Sequence, residues 1–97
     1  MNHYVLSQKA QQDIEAIYDF GLHKFGKGQA IDYLIALRSY FQLLSNNPDV
    51  GKQRNKIKEG LYSFPHISHI IFYRIFANHI RIVRVLHGSR DLKNFLK

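Results

Sequence analysis

The stretch His69-Ile70-Ile71-Phe72-Tyr73-Arg74-Ile75-Phe76-Ala77-Asn78-His79-Ile80-Arg81-Ile82-Val83-Arg84-Val85-Leu86-His87 decides the fold. Its β-branched and aromatic residues read as two strands, His69–Phe76 and His79–His87, joined by a tight turn at Ala77-Asn78. Asn favours such a turn because it tolerates positive φ. A two-residue turn there pairs Phe76 with His79, Ile75 with Ile80, Arg74 with Arg81, and Tyr73 with Ile82. Strict alternation then assigns Ile71, Tyr73, Ile75, Ile80, Ile82 and Leu86 to one face. The other face receives Ile70, Phe72, Arg74, Arg81, Val83, Val85 and His87. The first face is nearly continuous and is expected to take a layer of helices. The second sets two arginines directly opposite each other, an arrangement that costs stability unless both reach solvent or an acidic, partly apolar partner. Arg84 falls on the presumed core face and is expected to reach out along its aliphatic stem.

Upstream, Leu61–Phe64 reads as a third strand ended by Pro65. At the other end of the chain, Tyr4-Val5-Leu6 is a short extended run and Ser7 is a good N-cap. Ala10, Ile14, Ile17, Tyr18 and Phe25 recur at helical spacing, which predicts an amphipathic helix over 8–24. Lys9 and Asp13 can pair weakly on its flank. Gly26-Lys27-Gly28 is expected to stop it. Ala30, Leu34, Leu37, Phe41 and Leu44, widened by Ile31, Ile35 and Tyr40, predict a second helix over 29–45, ended by Asn47-Pro48. The short link makes an antiparallel helical hairpin. Residues 49–59 read as a polar connector without periodicity. Gly88 breaks the last strand, and Asp91–Leu96 forms at most a short helix capped by Ser89 or Asp91. The expected fold is a single α+β domain over 1–97: an N-terminal strand, an antiparallel α-hairpin packed on a small antiparallel β-sheet, and a short C-terminal helix.

The chain has 97 residues and no Cys, so disulfide frameworks, thiol catalysis and cysteine-based metal sites are excluded. Hydrophobic residues make up 45% of it, too many for intrinsic disorder. No apolar run approaches the ~20 residues of a membrane span, and Met1-Asn2-His3-Tyr4 does not resemble a signal peptide. A cytoplasmic protein is the expectation. Residues 1–51 hold four basic and five acidic side chains, a net of −1, while residues 52–97 hold ten and two, a net of +8. That asymmetry predicts an acidic partner for the C-terminal half.

Several patterns imitate catalytic motifs. His66-x-x-His69 has metal-ligand spacing but no supporting Asp, Glu or Cys beyond Glu59 within reach, so no metal site is expected. His87, Ser89 and Asp91 are too close in sequence to aim at one another as a triad. Gly26-x-Gly28 lacks the preceding strand of a phosphate-cradling loop. The basic run Lys52-Gln53-Arg54-Asn55-Lys56-Ile57-Lys58 is either a solvated loop or a phosphate contact.

Together these pieces resemble the ParE toxins of the RelE/ParE superfamily, the toxic halves of type II toxin–antitoxin modules. The resemblance spans nearly the whole chain. It runs through Leu6-Ser7-x-x-Ala10-x-x-Asp13-Ile14-x-x-Ile17-Tyr18, Phe25-Gly26, Gln29-Ala30, Asn47-Pro48, Gly51 and Gly60-Leu61. It continues through Ile71-Phe72-Tyr73-Arg74, Ile80-x-Ile82-Val83-Arg84-Val85-Leu86-His87 and Arg90-Asp91. It implies a bacterial or plasmid-borne toxin held inactive in a hetero-oligomer with a ParD-like antitoxin. The superfamily divides by target: RelE-like members cleave mRNA on the ribosome, whereas ParE-like members poison DNA gyrase. The RNase branch keeps basic residues on the strands of the meander and a Tyr or His near the C-terminus. Alignment on Phe72-Tyr73 and Gly88 puts Leu61, Ser63, Ile70 and Leu96 there, and only Arg90 keeps the basic character. Lys56 and Lys58 precede the strand.

The resemblance therefore implies gyrase inhibition by binding, with no catalytic residues, cofactor or metal, no membrane, and nucleic acid touched only indirectly. The alternative it leaves is a ribosome-dependent mRNA endonuclease. A plain nucleic-acid-binding domain is a third reading that no recognition motif supports. The expected partner-binding residues are Arg74, Arg81, Arg84, His87, Arg90 and Lys93. Arg74 and Arg81 face the antitoxin in this reading, and the stretch from Arg84 to Lys93 faces gyrase.

Overall fold

The computed structural model describes residues 3–88 and residue 96. Strand β1 (Tyr4–Leu6) leads into helix α1 (Gln8–Phe25), which is followed by α2 (Lys27–Asn46). A 3-10 turn at Pro48–Val50 and a two-residue strand β2 (Lys52–Gln53) come next. Strands β3 (Leu61–His66), β4 (His69–Ile75) and β5 (Ile80–His87) complete the sheet, in the order β1-β5-β4-β3-β2. The α+β architecture is as the sequence predicts. The sheet is mixed rather than antiparallel throughout, because β1 lies parallel to β5 with Tyr4, Val5 and Leu6 opposite Ile80, Arg81 and Ile82.

The helical hairpin turns on a single residue. Ser7 caps α1, its hydroxyl accepting the Ala10 N–H at 3.0 Å. Gly26 has φ 92°, which a side chain would oppose. Its N–H closes α1 on the Leu22 carbonyl, and its own carbonyl accepts the Ala30 N–H inside α2. Lys27 and Gly28 are already helical, so the stop is Gly26 alone. Ala10, Leu37, Phe41 and Leu44 pack on Ile71, Tyr73, Ile80, Ile82 and Val85 to form the main core. Each large side chain buried there stabilises the fold by roughly 1.5–3 kcal/mol.

The face assignment needs one correction. The pairs Ile75–Ile80, Arg74–Arg81 and Tyr73–Ile82 form as expected, but Phe72 then lies opposite Arg84, leaving Val83 as an extra residue in β5. A bulge of this kind reverses the alternation beyond it. Val85 therefore joins the helix-side core, while Leu86 moves to the other side. That second side is not an open platform. Leu61, Phe72 and Leu86 are covered by Ile57 and Leu96 in a small core of their own. The expected helix over Asp91–Leu96 lies outside the described residues except for Leu96.

Smaller differences follow from tertiary pairing. Residues 49–59 contain β2, whose Lys52 and Gln53 pair with Ser63 and Tyr62. Pro65 sits within β3 rather than ending it; β2 reaches only Ser63, so Pro65 lies where β3 is an edge strand and needs no N–H there. The β4–β5 turn falls at Ala77-Asn78, with the Phe76 N–H donating to the His79 carbonyl at 2.9 Å. Asn78 does not use positive φ; Ile67, in the β3–β4 turn, is the one non-glycine described residue that does, at 56°.

Candidate partner-binding groove

Arg74 of β4 and Arg81 of β5 lie side by side on the sheet face away from the helices. Neither side chain has a hydrogen bond or ion pair with any described residue. They flank a groove of about 410 Å3, also lined by Ser7 and Lys9 from the start of α1 and by Lys58 from the loop before β3. No Asp or Glu among the described residues lines it. Leu61 and Leu96 form part of its floor. Two opposed guanidinium groups gain nothing from each other, and the arrangement stores an affinity for negative charge that no described residue uses.

Arg84 lines the same groove but is committed. Its Nε and Nη2 donate to the two carboxylate oxygens of Asp13 at 2.8 and 2.9 Å. The side chains are 14% exposed on both sides. The hydrogen bonds that Arg84 donates to Asp13 raise the guanidinium pKa still further. One Asp13 oxygen also accepts the Val85 N–H at 3.0 Å, and Ser7 Oγ donates to the Val83 carbonyl at 2.7 Å. These groups satisfy β5 where β1 has ended. The arginine that looked misplaced on a core face sits just after the bulge and turns toward α1.

At the other end of the sheet three histidines stand in one rung, His66 opposite His69 and His69 opposite His87. The rings of His69 and His87 meet edge to face at 5.6 Å. From α2, the Tyr33 hydroxyl lies 2.6 Å from His69 Nδ1, and the Tyr40 ring lies 4.6 Å from that of His66. His66 is buried and its Nε2 has no partner among the described residues. Burial lowers the pKa of His66. It also lowers that of His69, with the neighbouring histidines adding to the effect. Among the described residues, no group of three or more His, Asp or Glu side chains is placed to hold a metal ion.

A model of the ParE toxins of type II toxin–antitoxin systems, parDE, matches residues 4–92. The chain belongs to this ParE family. It is 29% identical over 96 residues to Toxin ParE1 of Caulobacter vibrioides, covering 99% of both chains. It is 34% identical over 90 residues to Toxin ParE1 of Mycobacterium tuberculosis, covering 92% of each. The solved structure titled "Chromosomal ParDE TA system from P. aeruginosa" shares its fold, with a TM-score of 0.77 at 20% identity over 90% of this chain and 96% of that one.

In this ParE-family chain the expected partner-binding residues are divided. Arg74 and Arg81 share the groove. Arg84 joins them only as an Asp13-bound group. The bulge places His87 at the end of the helix-side histidine rung, away from the arginines. Arg90 and Lys93 lie outside the described residues. The basic run separates too: Arg54 Nε donates to Ser63 Oγ at 2.7 Å, Ile57 enters the second core, and Lys58 reaches the groove. Asp13 carried a signal in the sequence, since it belongs to the series that resembles the family, but helix spacing offered only Lys9 as its partner. Among the described helices none is long and apolar enough to cross a membrane.

Proposed function

We propose that this chain works as the toxic half of a parDE-type module in the cytoplasm. A ParD-like antitoxin neutralises it, and it inhibits DNA gyrase by binding. The observation that carries the antitoxin half is the Arg74–Arg81 pair, two cations in a groove without a carboxylate among its described lining residues. An acidic, amphipathic segment that orders on binding would supply the missing charge. Action by binding is supported by the positions where the RNase branch keeps its chemical groups. Leu61, Ser63 and Leu96 are buried here, and Ser63 Oγ is held by Arg54. None of them moves a proton or steadies a phosphorane charge.

The test has two arms. Arg74→Glu combined with Arg81→Glu weakens the complex with the antitoxin at least tenfold, about 1.4 kcal/mol, by calorimetry; unchanged affinity means that the antitoxin binds elsewhere. The purified chain inhibits supercoiling by gyrase and leaves ribosome-bound mRNA intact. Codon-positioned cuts with gyrase unaffected would overturn the reading in favour of the endonuclease.

A further inference from the structure

We propose that the Arg74–Arg81 groove also binds single-stranded nucleic acid directly, with its cations on the phosphodiester backbone and a base stacked on Phe76. This departs from the expectation of indirect contact only, and it does not depend on the antitoxin or gyrase readings.

Three features carry it. The first is cation placement. Lys9, Lys58, Arg74 and Arg81 come from four separate segments and converge on one groove with no Asp or Glu among its described lining residues. A track of spaced cations suits a polyanion that presents a charge at each residue. The second is an aromatic at the rim. Phe76 lines the groove and is 42% exposed. Its ring is stacked on His79 at 5.0 Å and 9°, and His79 stacks on His3 at 5.6 Å and 18°. The column braces Phe76 from behind, so its orientation is set before a base arrives, and stacking on a braced ring costs little side-chain entropy. Duplex DNA would hide the base faces that such a platform uses, so the single strand is the matching form. The third is what covers the apolar floor. Leu61, Phe72 and Leu86 already lie beneath Ile57 and Leu96, so beside the apolar lining from Leu61, Val83 and Leu96 the groove offers its cations and the one exposed ring.

Fluorescence anisotropy of a labelled oligothymidylate with the full chain tests this, run between about 50 and 200 mM salt. Arg74→Gln with Arg81→Gln is expected to weaken binding at least tenfold at the low end and to flatten the log–log salt dependence by about 1.4, since each single-strand phosphate contact is worth about 0.7. Lys58→Gln, on an exposed loop, gives about half that flattening and serves should the arginine pair prove necessary for folding, which thermal unfolding of each variant reports. Phe76→Ala is expected to weaken the oligothymidylate at least fivefold at unchanged salt slope, and to leave gyrase inhibition as it was. Lys24→Gln with Lys27→Gln, two cations outside the groove, removes the same charge and leaves affinity near that of the parent. Equal loss in the groove and control variants would show diffuse charge attraction and overturn the proposal. Duplex DNA binding as tightly as the single strand, or Phe76→Ala binding normally, would overturn the stacking that defines it.

Discussion

Asp13 and Arg84, 71 residues apart in the chain, meet in a two-pronged ion pair that also accepts the Val85 N–H. The pair closes the part of β5 that β1 is too short to reach. Both side chains are largely out of water, so removing one strands the other. Asp13→Ala is expected to destabilise the fold by about 3–5 kcal/mol in urea unfolding. Arg84→Ala should cost a similar amount, and the double variant much less than the sum of the two. Additive losses would mean that the two residues act separately.

Gly51 and Tyr73 are locked together at the other flank. The Tyr73 hydroxyl donates to the Pro48 carbonyl at 2.7 Å and accepts the Gly51 N–H at 3.0 Å. Burial pushes its pKa up to about 12. A Cβ at residue 51 would run into that hydroxyl. Gly51→Ala is expected to cost about 1–3 kcal/mol by overpacking. Tyr73→Phe leaves two backbone groups unsatisfied at a comparable cost, yet makes room for a methyl group at residue 51. The double variant should therefore be more stable than the two single losses predict, by urea midpoint.

The histidine rung makes stability depend on pH in a set direction. His66 and His69 have pKa values below the usual 6.5 in the folded chain. The unfolded chain therefore binds more protons as pH falls below 6.5, and stability falls with it. Well above that value both forms are neutral and the contribution is complete. Tyr33 and Tyr40 from α2 face the rung, with Ser68 and His87 from the sheet end, and Asp13, Ile17 and Phe20 of α1 line the cleft that His69 and His87 share, where Asp13 is already bound to Arg84. Urea midpoints from about pH 5 to 8 should rise and then level off, and His69→Gln should flatten the rise. An equally steep rise in that variant would assign the proton uptake to other groups.

Cutting the chain after Gly88 is a poor test of gyrase contact. Leu96 is buried against Leu61, Phe72 and Leu86. Leu96→Ala alone should cost about 2 kcal/mol or more. Truncation is expected to lower the melting temperature and abolish gyrase inhibition together. Arg90→Gln with Lys93→Gln should reduce inhibition at unchanged melting temperature. Full inhibition by that variant would place the gyrase surface elsewhere.

The helical hairpin was legible in the sequence because its signals are local: Ser7, the 3.6-residue stripe, and Gly26. The Arg74–Arg81 pairing was legible because a two-residue turn fixes register close to itself. Register beyond Val83 was not, since a bulge leaves no mark in a run where every residue suits a strand. That one residue moved Val85, Leu86 and His87 to faces opposite those expected, and so separated His87 from the arginines. Lys52–Gln53 pairs as a strand only because β3 is beside it. Ile57 and Leu96 carry no periodicity at all, and their burial depends on each finding the same sheet face from different parts of the chain.

The parallel pairing of β1 with β5 also sets a clock. Tyr4 is made before its partner Ile80, which follows 76 residues later. At about 5–20 residues per second, roughly 4–15 seconds separate the two on the ribosome. Throughout that interval the helical hairpin has no completed sheet to pack against, and neither arginine of the groove has its neighbour. The groove comes into being only with β5, so a nascent chain has no charge-bearing surface of this kind until that strand has been made and paired with β4.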